Sequence, residues 1–177
     1  MNKTKIDVAK KTLKLLESKE WEKIKIEDLS KGNKSLSIKK NDYLINLNKY
    51  FDYLLRENTS SLETSSSKDM LFEVIMARLD ILNLNRKSIL KLFNYIKFQP
   101  QLFLFLLPSL VESIILILTL AEVEVKGVKG AIKVKVTLVL YILLIFTWSN
   151  DNTPSLEKTM TILDKYLNQI DKLAKFV

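Results

Sequence analysis

Lys133 to Leu167 reads KVKVTLVLYILLIFTWSNDNTPSLEKTMTILDKYL. Val136–Trp148 carries no charge, SNDNTPS interrupts it, and apolar residues return at Leu156, Met160, Leu163 and Leu167 with three- and four-residue spacing. An uncharged rod, a polar break and an amphipathic repeat predict a buried helix, a capped turn and a second helix folded back on the first. Pro154 suits the first position of that second helix, where its missing N–H costs nothing. The rest of the chain is read as cover for this pair.

The chain has 177 residues with 3 Gly and 3 Pro, and 47% of its residues are apolar. That length is one domain, or one domain with an appendage, and so few breakers exclude a β-sandwich or a disordered chain and favour long helices. Histidine and cysteine are both absent. Disulfides, thiol nucleophiles, zinc fingers and His-based acid–base chemistry are therefore excluded, and a reducing cytoplasm is compatible. The three glycines stand apart, so no phosphate-cradling loop is present. No catalytic residue, metal or cofactor is expected. Asp151 reads as turn chemistry and Asp164 as a helix-surface charge.

Net charge is +8. Residues 1–68 hold 15 Lys/Arg against 10 Asp/Glu, residues 69–153 hold 9 against 7, and residues 154–177 hold 4 against 3. The excess lies at the N-terminus, where it either meets nucleic acid or an anionic membrane or reflects a base-composition bias toward Lys, Asn and Ile. The N-terminus, MNKTKIDVAKK, lacks the apolar core of a signal peptide. Leu102–Ala121 has the length of a bilayer span, with one charge, Glu112, and one proline, Pro108. Val136–Trp148 is too short to return, so a buried hairpin in a cytoplasmic protein is expected, peripheral to the inner membrane at most.

Along the chain, Ile6–Ser18 has a helical period. Glu27 and Asp28 suit the first turn of a second helix. Lys31-Gly32-Asn33 reads as a turn, and a third helix restarts at Asn41-Asp42. Thr59–Ser67 (TSSLETSSS) is a polar linker, dividing a head, 1–58, from a body, 68–177. Helices over Asp69–Leu82, Arg86–Phe98 and Leu102–Val123 follow, the last kinked near Pro108. Glu122–Val136 (EVEVKGVKGAIKVKV) alternates like a strand, with Gly127 and Gly130 placed to turn a hairpin. Helices on both sides argue instead for a loop feeding a helix from about Lys129.

The first 55 residues resemble the helix-turn-helix head of the TetR superfamily through Ala9, Leu13, Trp21, Ile26, Leu29, Asn41 and Leu44. The resemblance implies an all-α, TetR-like multi-helix bundle with a small, degraded head. Between Leu29 and Ile38 the segment is shorter by about six residues than a turn plus a groove-reading helix requires. Lys34, Ser35, Lys39 and Lys40 remain candidate phosphate contacts. Tyr141, Trp148, Asp151, Ser155, Thr159, Leu163 and Asp164 resemble, in order and spacing, the C-terminal domain of the lipid-binding accessory family of ubiquinone biosynthesis; some TetR-type regulators share the pattern. That likeness implies a non-catalytic helper of quinone hydroxylation that holds an isoprenoid or phospholipid and acts through a partner enzyme at a membrane surface. The alternative it implies is a ligand-responsive DNA-binding repressor. A helical interaction domain with no ligand is a third reading.

Two helices apolar all round either pack as core, meet a second copy or wall a cavity for a long apolar ligand. The candidate walls are Leu106, Leu110, Ile114, Leu118, Leu140, Tyr141, Leu144 and Trp148. Glu112 either pairs with Arg78 or faces solvent. On the last helix the first half of the stripe is expected to pack inward. Leu167, Ile170, Leu173 and Phe176 are expected to form a homodimer or membrane surface, aided by Lys165, Lys172 and Lys175.

Overall fold

The computed structural model describes residues 1–30, 39–60 and 66–174, with side chains as far as residue 170. Among them lie eight α-helices, a 3-10 turn and no strand: α1 (Lys3–Ser18), the turn η1 (Trp21–Lys23), α2 (Ile26–Ser30), α3 (Asp42–Thr59), α4 (Ser67–Leu84), α5 (Arg86–Ile96), α6 (Pro100–Leu120), α7 (Gly127–Ser149) and α8 (Glu157–Ala174). The all-α class is as expected. The chain forms two compact units, residues 1–57 with 80–113 and residues 58–79 with 114–177.

In the first unit α1 starts at Asn2, whose side chain accepts the Lys5 N–H at 3.0 Å. This cap satisfies one of the four free donors at the helix start. The helix buries Val8, Ala9, Thr12, Leu13 and Leu16 along one stripe and packs on α5 and α2. Ser88 on α5 is buried and donates to the Leu13 carbonyl at 2.9 Å. That bond uses a second lone pair of an α1 helical carbonyl oxygen, so the two helices must approach with few side-chain atoms between them. Asp28 in the first turn of α2 reaches back to the Lys25 N–H at 3.2 Å, half of a capping box, as its place in the sequence suggests.

α3 buries Tyr43, Leu44, Leu47, Tyr50, Phe51 and Leu55. Its other interior row is polar. Asn48 Nδ2 donates to Ser109 Oγ at 2.9 Å, the Ser109 carbonyl at 3.1 Å and Ser113 Oγ at 2.8 Å, and Ser113 Oγ donates to Asp52 at 2.9 Å. Two residues four apart on α3 thus meet two residues four apart on α6, the spacing that puts both pairs on facing ridges. Pro108 lies inside α6 and supplies no N–H to the carbonyl one turn earlier. Glu112 faces solvent and pairs with Lys49 at 3.6 Å.

In the second unit α7 packs on α8. The ambiguous segment is a loop and a helix, and the helix begins at Gly127, two residues before the expected start. α6 closes with Glu122 in the left-handed region, φ 56°, while the Val123 N–H reaches the Leu118 carbonyl and the Glu122 N–H the Thr119 carbonyl. This is the Schellman closure with a non-glycine residue at the left-handed position. The loop then crosses the first turn of α7. A Cβ at Gly130 would stand 2.1 Å from the Val125 carbonyl carbon, so only glycine lets the two backbones touch.

The α7–α8 corner is organised by Asp151, which is 1% exposed. One carboxylate oxygen accepts the Thr153 N–H at 3.1 Å and its hydroxyl at 2.6 Å; the other accepts the Thr159 N–H and hydroxyl, both at 2.8 Å. Thr153 Oγ1 in turn accepts the Glu157 N–H at 2.9 Å. Burial pushes the Asp151 carboxyl up, but the bonds from Thr153 and Thr159 outweigh it and hold the group well below the usual carboxylate range. The last helix therefore starts at Glu157. Pro154 sits in the preceding turn, not at the first helical position, because Asp151 and Thr153 already take the free donors of α8.

Candidate functional site

The eight residues expected to wall a lipid cavity fall in different units. Leu106 and Leu110 are half-buried in the first. Ile114, Leu118, Leu140, Tyr141, Leu144 and Trp148 are buried in the second, with Ile114, Leu144 and Trp148 at 0% exposure. A side chain with no exposed surface borders no space wide enough for water, so these three are close-packed. Tyr141, Trp148, Asp151, Thr159 and Leu163, whose order carried the resemblance to the accessory family, are all buried at the α7–α8 corner or beside it, and Asp164 is exposed. The pattern has a packing role: two aromatics on α7, an anionic cap, and the α8 residues that cap engages.

The apolar surface left uncovered lies elsewhere on the same helices. α6 and α7 are long and apolar enough to cross a membrane by length and composition, yet only 39% and 28% of their most apolar windows are buried. In α6 the outward apolar residues are Leu104, 62% exposed, and Phe105 near its start, with Ile115 farther along. They follow Phe98, 75% exposed, whose ring Lys97 Nζ approaches to 5.1 Å. On α7 an outward row runs from Val128 to Phe146. Large apolar patches on one face mark interaction surfaces, because scattered single residues would not align.

The contact surface expected on α8 is altered by the packing. Leu167 is 3% exposed and belongs to the core, Ile170 is half-buried, and the Leu173 and Phe176 side chains lie outside the described residues. The buried row of α8 is Leu156, Thr159, Leu163 and Leu167, and Met160 turns outward. Thr159 takes the inward place because its hydroxyl and N–H both serve Asp151.

In the head, Lys34 and Ser35 lie outside the described residues, as does the length of any helix between α2 and α3. Lys39 is exposed. Lys40 is engaged inside its own unit: its ammonium donates to the Trp21 carbonyl and, at 3.3 Å, to the Glu22 carbonyl, and sits 4.8 Å from the Trp21 ring centre. Desolvation lowers its pKa, with the nearby Glu22 pulling the other way. A lysine so placed holds the carbonyl end of η1 and offers little to a phosphate.

The first unit also holds a surface groove of about 430 Å³ lined by Glu20, Glu22, Lys91, Asn94, Tyr95, Phe98 and Gln99. Lys91 bridges to Glu20 at 3.5 Å and donates to the Glu17 carbonyl at 3.2 Å. The signal for it is faint: positions 91, 94, 95 and 98 share a helical face, and Glu20 and Glu22 flank a buried Trp21. Its walls are charged and amide-bearing, unsuited to an acyl chain.

Comparison with protein-family models and with curated proteins finds no match for the chain.

Proposed function

We propose that this chain is a non-catalytic, lipid-binding helical protein that works in the cytoplasm at a membrane surface, on the pattern of the ubiquinone-biosynthesis accessory family, and acts through a partner enzyme. The observation that carries the reading is the outward row Phe98, Leu104 and Phe105 on the uncharged stretch from Phe98 to Val111. A phenylalanine in the turn before α6 and a leucine and a phenylalanine in its second turn, all outward, with Lys97 against the first ring, are suited to the headgroup–acyl boundary. The bound species on this reading is an isoprenoid or phospholipid. The repressor reading is weakened by Lys40, whose ammonium is taken up by the head's own packing.

The test is flotation with vesicles of phosphatidylethanolamine and phosphatidylglycerol, together with lipid extraction of the purified chain. The wild type is expected to float and to yield lipid. Leu104→Glu with Phe105→Glu should reduce flotation at least tenfold while leaving the helical circular-dichroism spectrum unchanged. A lipid-free wild type that ignores vesicles, or a double variant that floats equally, refutes the proposal. Salt-dependent binding to a specific DNA duplex over a random one would favour the repressor instead.

A further inference from the structure

The groove of the first unit is lined by the turn after α1, by η1, and by the end of α5 with the turn that follows it. The chain is +8 overall, yet this groove sets two carboxylates, Glu20 and Glu22, against one ammonium, that of Lys91. The carbonyl end of α1 adds its own partial negative charge, and α1 has no basic residue in its last turn. Lys91 answers part of this from α5, with its ammonium 3.5 Å from the Glu20 carboxylate and donating to the Glu17 carbonyl at 3.2 Å. Glu22 is left over. It is exposed, and among the described residues its carboxylate joins no ion pair or hydrogen bond. The nearby Lys40 ammonium is engaged by the Trp21 and Glu22 carbonyls. The Tyr95 hydroxyl and the Gln99 side-chain amide are likewise without a protein partner among the described residues. The remaining wall is the Phe98 ring, and it already takes a cation: Lys97 Nζ lies 5.1 Å from its centre while donating to Asn94 Oδ1 at 2.8 Å. Two of the chain's own lysine tips thus rest on a carboxylate and a ring of this lining, which is direct evidence of what the lining attracts.

We propose that this groove binds a linear aliphatic polyamine, with one ammonium on Glu22 and the methylene stem along Tyr95 and Phe98. The carboxylates set the sign of the ligand and repel nucleotides and other phosphates. A divalent metal needs several oxygens converging on one point and makes no use of rings, and no acidic cluster able to hold a metal exists among the described residues. An alkylammonium chain uses every part of the lining. Its N–H groups serve the Glu22 carboxylate and the Gln99 amide oxygen, its charge suits the ring faces, and its methylenes cover the apolar surface of the rings. At about 430 Å³ the groove falls in the size range of small-molecule sites. The inference is independent of the lipid reading. Leu104 and Phe105, whose substitution tests that reading, lie outside the groove, so the two proposals fail separately.

The test is equilibrium dialysis of the full chain against labelled spermidine, in about 0.15 M salt so that diffuse attraction to surface carboxylates is screened. The wild type is expected to take up one spermidine per chain with a Kd on the order of 100 μM or tighter. Glu22→Gln should weaken binding at least about tenfold by removing the one carboxylate that no protein cation holds. Because that position is exposed and unpartnered, the circular-dichroism spectrum and melting temperature should stay at their wild-type values. Phe98→Ala should weaken binding by about threefold through the lost ring face. Glu124→Gln, an exposed carboxylate of the second unit, should leave the Kd unchanged. A wild type that retains no spermidine at millimolar concentration, or a Glu22→Gln chain that binds equally well, overturns the proposal. So does an equal loss in Glu124→Gln, or displacement of spermidine by an equal concentration of magnesium chloride, which would reduce the groove to unspecific negative charge.

Discussion

Replacing Asp151 with Asn tests whether the α7–α8 corner is held by one buried anion. The carboxylate accepts two N–H and two O–H groups within 3.1 Å. Hydrogen bonds to a charged group contribute about 1.5–3 kcal/mol each and are not additive within one cluster. Asn keeps one acceptor oxygen but turns an NH2 group toward the other pair, leaving donors of Thr153 or Thr159 without an acceptor. Thr159 is 0% exposed, so water cannot replace what is lost. A loss of about 3 kcal/mol at neutral pH is expected, a large share of the 5–15 kcal/mol typical of a domain. Urea unfolding followed by circular dichroism would show a lowered midpoint with an unchanged slope. The pH dependence sharpens the test. The folded carboxyl titrates below its unfolded value of about 3.9, so its contribution is fully present above about pH 5 and is lost as the pH falls toward the folded pKa. Asn does not titrate, so the stability gap between the two proteins should narrow steadily below about pH 4. A gap under 1 kcal/mol at pH 7, or one that stays constant down to about pH 3, would refute the assignment of the corner to Asp151.

Two further substitutions probe local geometry. Gly130→Ala should destabilise by about 3 kcal/mol or more in thermal unfolding, since its Cβ meets rigid Val125 backbone at 2.1 Å; Gly127→Ala, at φ 65° with nothing within 4 Å, should cost only about 1 kcal/mol. Equal effects would show that the loop yields easily. Asn48→Ala should cost about 2 kcal/mol, because Ser109 and Ser113 are left buried without their donor; adding Ser109→Ala and Ser113→Ala should recover part of the loss, and strict additivity would refute the coupling.

Helix number and order were legible because few glycines and prolines interrupt the chain and because the apolar period in α1, α3 and α8 is unambiguous. The Asp151 corner was half legible. Asp151 reads as turn chemistry from its neighbours, but its reach to Thr159, eight residues on, depends on how α8 folds back. That same reach moved the helix start past Pro154 and turned Met160 outward, since Thr159 had to face in. Periodicity weighs apolarity alone and so preferred the methionine. The lysines interleaved with valines in Lys126–Val136 imitate a strand; in a helix those same positions place Val128, Ile132 and Val136 in one row with Lys129 and Lys135 on its flanks.

The face that α7 shows to its surroundings could not be read from sequence at all, for a physical reason. A helix apolar around its whole circumference has no moment, so nothing in its composition distinguishes the side that meets α8 from the side that does not. Folding breaks that symmetry. α8 can cover only the row it touches, and Asp151 fixes which row by setting the angle at which the chain returns. Trp148, Leu144 and Tyr141 are then inside, and Val128 to Phe146 are outside whatever their hydrophobicity. The outer row keeps the ordinary helical repeat of about 3.6 residues. An apolar row of that length left in water exposes the chain to association, so the choice of which row α8 covers decides what α7 presents to its surroundings.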